Sequence, residues 1–175
     1  PAAGARQASA RPIASHATAA ATRGRLPVAI RINAIDSGLA EDDIARTFRC
    51  RPDAYVLPKA SDAAEIRSVS AQLAVLEAQA GAQIGSTAIL PIVTEHPRAI
   101  ARLESLCSAE SRGLAIMCGK EDLAAAIGAS RVKDEYGARL EVLRVVRAGG
   151  VRAGRDAGRG IVDEKVGEQD GVEGR

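Results

Sequence analysis

The chain reads as an α/β protein built from parallel βα units. Three features predict this. Short runs rich in Val, Ile, Leu and Ala recur along it, segments with helical apolar spacing separate them, and the runs are apolar almost throughout. Near-continuous apolar runs suit strands buried on both faces, as parallel strands are. The pattern fits an open α/β sheet and also part of a (β/α)8 barrel. A complete barrel takes about 250 residues, and this chain has 175.

Each element has its own warrant. Residues 27–33 (PVAIRIN) form a β-branched first strand, and a short helix over 39–48 carries Glu41, Asp42 and Asp43 near its start. Acids there favour the helix dipole. Residues 54–57 (AYVL) form a second strand closed by Pro58. Ser61 or Asp62 can cap a helix reaching Gln79, with Ala64, Ile66, Val69, Leu73 and Leu76 at helical spacing. A third strand is expected over 88–93, a helix over 97–106 with Pro97 in its first turn, and a fourth strand over 113–118 (GLAIMC). A further helical turn begins at Asp122 and can end at Gly128.

Around these elements the chain divides into three parts. Residues 1–25 form an Ala-rich leader containing Arg6, Arg11, Arg23 and Arg25 and no acid. It lacks the apolar stretch of a secretory signal and reads as a disordered or atypical segment, or by composition as an organellar presequence. Residues 26–147 are the α/β unit. Residues 148–175 are dense in glycine and charge, so they are expected to bury too little to offset the entropy of ordering them. Only Ile161 and Val162 hint at a short element there.

Composition excludes several function classes. Aromatics make up 2% of the chain and the formal net charge is +2, which leaves a nucleic-acid binder little stacking surface and no electrostatic footprint. No apolar run approaches the roughly 20 residues of a membrane span. The three cysteines, Cys50, Cys107 and Cys118, have no CxxC or Cys/His metal spacing, which fits a reducing, cytoplasmic setting. Dinucleotide, P-loop, HExxH and GxSxG motifs are absent from the sequence.

Chemistry in α/β folds collects at the carboxyl ends of the strands. Polar residues gather at those ends: Arg31 and Asn33, then Lys59, then Thr94, Glu95 and His96, then Lys120, Glu121 and Asp122. Glu95 and Asp122 are the candidate metal ligands, because two carboxylates completed by water or substrate oxygens suit Mg²⁺. The competing reading makes both of them solvated acids at helix starts. Arg31 either clamps a substrate carboxylate or enolate oxygen, or pairs with a strand-end acid such as Glu95. His96 is read as a helix cap or solvent-facing group before an acid or base, and Cys118 as a small core residue. Glu121 is read as a capping or surface group.

Four segments carry a resemblance to a known family: RINAIDSGLAEDDI (31–44), PDAYVLPKASDAAEI (52–66), ILPIVTEHPRAI (89–100) and GLAIMCGKEDLAAAIGASRVKDEYG (113–137). In order and spacing they resemble the HpcH/HpaI aldolase/citrate lyase β-subunit family, closest to the branch of citrate lyase β-like and citramalyl-CoA or malyl-CoA lyases. The resemblance implies a partial TIM (β/α)8 barrel with about four recognisable βα units. It implies bound Mg²⁺ and cleavage or formation of a carbon–carbon bond in 3-hydroxyacyl-CoA thioesters. It implies Arg31 as the catalytic, substrate-binding clamp on the oxyanion, and Glu95 and Asp122 as metal ligands. The family's first two strands and its C-terminal strands have no recognisable counterpart, so a truncated or divergent member is expected. Lys120 stands close to the two carboxylates in sequence, where its charge would compete with a cation. A second function class follows from the same departures: a non-catalytic member that persists as a homo-oligomer through uncovered strand edges.

Overall fold

The computed structural model describes residues 26–113, 115–119, 121–129, 131, 133, 136 and 140–163. The leader 1–25, Lys120, the side chain of Glu121 and the tail beyond 163 lie outside the described residues.

Among the described residues there are five strands: β1 (Ala29–Arg31), β2 (Ala54–Leu57), β3 (Ala88–Pro91), β4 (Ala115–Cys118) and β5 (Gly160–Asp163). Six α-helices alternate with them: α1 (Ala40–Thr47), α2 (Ala63–Gln79), α3 (Pro97–Ile100), α4 (Leu103–Cys107), α5 (Glu121–Ala126) and α6 (Glu141–Asp156). These strands pair in parallel, β1 to β2 to β3 in one sheet and β4 to β5 in another. Isolated parallel bridges, Ile89 to Gly113 and Ile92 to Met117, join β3 to β4. Each strand therefore neighbours the next in sequence, with no reversal of order. A doubly wound sheet reverses at a switch point, whereas a barrel keeps adding strands in one direction. The arrangement is a partial TIM-barrel-like set of βα units, and it places the carboxyl ends of the strands side by side.

The core follows from composition. Tyr55 is the buried aromatic among Ile44, Leu57, Leu73, Ile89, Val93 and Ile116. Its hydroxyl meets the Thr47 hydroxyl at 3.0 Å, and burial holds its acidity below that of a free phenol. Helix α2 starts on a capping box, in which the Asp62 carboxylate accepts from the N–H of Ala64 and Glu65 reaches back. A second cluster joins Leu123 and Ala124 of α5 to Leu143 and Val146 of α6.

Two expectations are corrected. Residues 97–106 do not form one helix: Arg102 leaves helical geometry at φ −126°, its guanidinium pairs with Asp62 at the start of α2, and a new turn begins at Leu103. Residues 148–163 are not an unstructured tail. They carry the second half of α6 and all of β5. The glycines that read as helix breakers are contact points: a Cβ at Gly150 would lie 3.2 Å from Cys118 Sγ, and one at Gly154 would lie 2.8 Å from Ile116 Cδ1. Close approach of α6 to β4 requires hydrogen at those positions, and the packing gained offsets the helix propensity lost.

Cys107 and Cys118 are buried and Cys50 is exposed. Burial, with a smaller contribution from Cys118, pushes the Cys107 thiol up to about 12, so it is not a thiolate near neutral pH. Native protein should therefore expose a single fast-reacting thiol to an aromatic disulfide reagent, and all three should react in denaturant. Two fast thiols in the native state would contradict the burial of this pair.

Candidate functional site

The site is built from four successive strand ends. Arg31 is the last residue of β1, with its side chain 54% exposed. Lys59 follows β2 and Pro58, and its backbone turns left-handed at φ 53°. Beyond β3, Val93 donates to the Met117 carbonyl at 3.0 Å, which carries Thr94 and Glu95 toward the end of β4. Glu95 is 5% exposed although it is ionisable. A buried carboxylate must find donors or cations, because its desolvation otherwise costs several kcal/mol.

It has both, a donor from the turn after β2 and a cation from β1. The Lys59 N–H donates to Glu95 Oε2 at 2.7 Å. The Arg31 guanidinium stands 3.9 Å from Glu95 Oε1, a loose ion pair rather than a bidentate clamp. Gly119, directly after β4, lies against the Glu95 side chain, with room for no side chain of its own. The Thr94 hydroxyl, also buried, donates to the Gly119 carbonyl at 2.7 Å and ties the two strand ends together.

Asp122 lies in the first turn of α5 and is partly buried. Its helix is fixed by the next residue, Leu123, which is 1% exposed in the cluster shared with α6. Gly119 thus contacts Glu95 while standing three residues before Asp122 in the chain. Among the described residues no group of three or more His, Cys, Asp or Glu side chains gathers as a ready-made metal cage. A Mg²⁺ site does not need one, because it commonly uses one or two carboxylates and retains waters. The donor set at this sheet end is hard oxygen, and the buried Cys118 thiol at the end of β4 packs toward Gly150 of α6.

The other candidates separate. His96 is the N-cap of α3, its Nδ1 accepting from the Arg98 N–H at 3.1 Å. Lys59 contributes its main chain, while its side chain is exposed. Asn33 turns away from the sheet end to the Asp43 carboxylate, to which its N–H and its side-chain amide both donate at 2.8 Å. Sequence reasoning missed Gly119, which sits in an ordinary strand-to-helix turn and has no flanking motif. Ile161 and Val162, where the sequence hints at a short element, lie in β5, whose last residue Asp163 pairs in register with Cys118.

No helix among the described residues is long and apolar enough to cross a membrane. The citrate lyase subunit beta of Escherichia coli K12 is 28% identical over 127 residues, covering 71% of this chain and 42% of the relative. The chain therefore spans less than half the length of the curated relatives it matches. The structure of RipC from Yersinia pestis superposes with a TM-score of 0.66 at 28% identity, covering 83% of this chain and 61% of that one. The protein CitE from Mycobacterium tuberculosis, solved in complex with magnesium and acetoacetate, gives a TM-score of 0.64 at 24% identity, covering 77% and 49%. A citrate lyase from Burkholderia xenovorans LB400 shares the fold at a TM-score of 0.71 and 18% identity, covering 84% and 47%. The match to the family profile extends over residues 1–173, and the chain belongs to the HpcH/HpaI aldolase/citrate lyase family.

Proposed function

We propose that the chain is a Mg²⁺-dependent carbon–carbon lyase domain acting on 3-hydroxyacyl-CoA thioesters such as citramalyl-CoA or malyl-CoA. One observation carries the reading: a buried carboxylate, Glu95, held at the carboxyl ends of the strands with an exposed arginine beside it. Here the acid is 4% exposed and the guanidinium 54% exposed, so the arginine faces outward from a fixed anion.

The roles follow from that asymmetry. Glu95 and Asp122 are the residues that would hold Mg²⁺; the choice of cation is supported by the magnesium in the structure of CitE from Mycobacterium tuberculosis. Bound Mg²⁺ supplies Lewis-acid stabilisation of developing oxyanion charge. Arg31 binds the substrate carboxylate or the enolate oxygen by charge-assisted hydrogen bonds, which strengthen as negative charge grows during cleavage. The Lys59 N–H keeps Glu95 Oε2 engaged, so the carboxylate does not swing onto Arg31 and quench it.

The test is Mg²⁺-dependent release of acetyl-CoA from malyl-CoA or citramalyl-CoA by purified protein. Turnover that disappears with chelator and returns with Mg²⁺ is the expected result. Folded protein that binds Mg²⁺ and turns over neither thioester would overturn the lyase reading in favour of a non-catalytic member of the family.

A further inference from the structure

We propose that Gly119 is a positioning residue: the missing side chain at the end of β4 gives the Glu95 carboxylate its place. The proposal rests on the reading of Glu95 as a cation-holding carboxylate. A Cβ built at Gly119 would lie 2.9 Å from Glu95 Oε1 and 3.0 Å from Cδ, and closer still to Cγ. The obstruction reaches the middle of the side chain, so rotating the carboxylate tip alone cannot relieve it.

Space and not backbone conformation is what this position demands. The glycines with left-handed φ, such as Gly38 at 72° and Gly128 at 72°, have nothing near their absent Cβ. Gly119 is not among the residues with positive φ. Nor can its backbone drift away from Glu95 at little cost. Its carbonyl accepts the Thr94 hydroxyl at 2.7 Å, and Thr94 is the residue before Glu95. On the opposite side the Lys59 N–H fixes Oε2 at 2.7 Å, from a left-handed backbone that is unfavourable for a residue with a Cβ. Glu95 is therefore confined between a donor that orients one oxygen and a glycine that leaves room for the other. Any side chain at 119 must displace the carboxylate or part the β3 and β4 ends.

The experiment compares the parent protein with Gly119→Ala, Gly154→Ala, Glu95→Ala and the Gly119→Ala/Glu95→Ala pair. Mg²⁺ affinity is read by calorimetry and the unfolding equilibrium by urea. Gly154→Ala is the packing control, since its Cβ would meet Ile116 Cδ1 at 2.8 Å, away from any carboxylate. Gly119→Ala should weaken Mg²⁺ binding at least about tenfold, the scale of losing a group that orients a metal ligand. Gly154→Ala should lower stability and leave affinity within about twofold, as expected for an uncoupled site. Gly119→Ala with the parent's affinity overturns the proposal. A parent that binds no Mg²⁺ defeats the cation reading instead, and the unfolding data then decide Gly119. Its alanine cost must shrink, or folding must be rescued, once Glu95→Ala removes the obstructed side chain. An equal cost in both backgrounds overturns the positioning role.

Discussion

Replacing Arg112 by alanine should destabilise the protein by about 3–5 kcal/mol, the range for removing one partner of a buried ion pair. Arg112 is 9% exposed and Glu77 is fully buried. The Arg112 NH1 donates to both Glu77 oxygens, at 3.1 and 3.2 Å, and to the Thr87 carbonyl at 3.1 Å. Its Nε donates to the Ser70 hydroxyl at 2.8 Å. One side chain thus joins α2, the turn that leads into β3, and the loop before β4. Whole domains are stable by only about 5–15 kcal/mol, so the expected loss is a large part of the total. A urea midpoint change equivalent to less than about 1 kcal/mol would contradict the prediction, because that is the scale of an exposed pair.

Removing both charges should not restore stability here. The Glu77 carboxylate also accepts from the N–H groups of Gly85 and Thr87, at 2.7 and 2.8 Å. An apolar pair in place of Arg112 and Glu77 would leave those donors unsatisfied. The same network sets an acid limit. Burial alone would raise the Glu77 carboxyl, but the Gly85 and Thr87 N–H groups and Arg112 outweigh it and hold it below the usual carboxylate range. A depressed folded value means that this stability is fully present above the ordinary glutamate value near about 4.3. It is lost as pH falls through the folded value. In Arg112→Ala the folded value moves back up, so this pH-dependent contribution should be smaller and should be exhausted at a higher pH, because one of the groups holding the carboxyl down is gone. Acid titrations followed by circular dichroism would show the separation.

The sheet was legible because its strands carry a signal that burial imposes on composition. AYVL at 54–57 is β2 to the residue, and of the two caps read for α2, Ser61 or Asp62, it is Asp62 that starts the helix. The sequence leaves the choice between open sheet and barrel undecided, since both consist of βα units; the unreversed order from β1 to β5 decides it. The C-terminal elements were hidden because glycine carries two meanings. Gly149, Gly150 and Gly154 count against a helix by propensity. With Leu143, Val146 and Ala153, however, Gly150 and Gly154 recur at helical spacing and form the buried stripe of α6. At the candidate site, Arg31 and Glu95 could be named from their strand ends, and they do meet. The groups that hold Glu95 could not be named, because one is a main-chain N–H and the other is an absent side chain.

Asp122→Asn should weaken Mg²⁺ binding by at least about tenfold, no less than the loss of a group that only supports a metal ligand. The substitution keeps the shape of the side chain and removes one of two negative charges assigned to a divalent ion that prefers anionic oxygen. The fold should hardly respond. Asp122 is partly exposed at the start of α5, and its favourable interaction with the helix dipole is worth about 0.3–1 kcal/mol. Leu123 and Ala124, which fix α5 against α6, are untouched. Glu121→Gln, at the neighbouring position, should leave affinity near the parent's, and this separates ligation from a general loss of negative charge on α5. Calorimetric titration of the parent and both variants reads these outcomes directly. If Asp122→Asn binds Mg²⁺ as tightly as the parent, Asp122 is not a ligand, and Glu95 must hold the ion with oxygens from elsewhere at the strand ends.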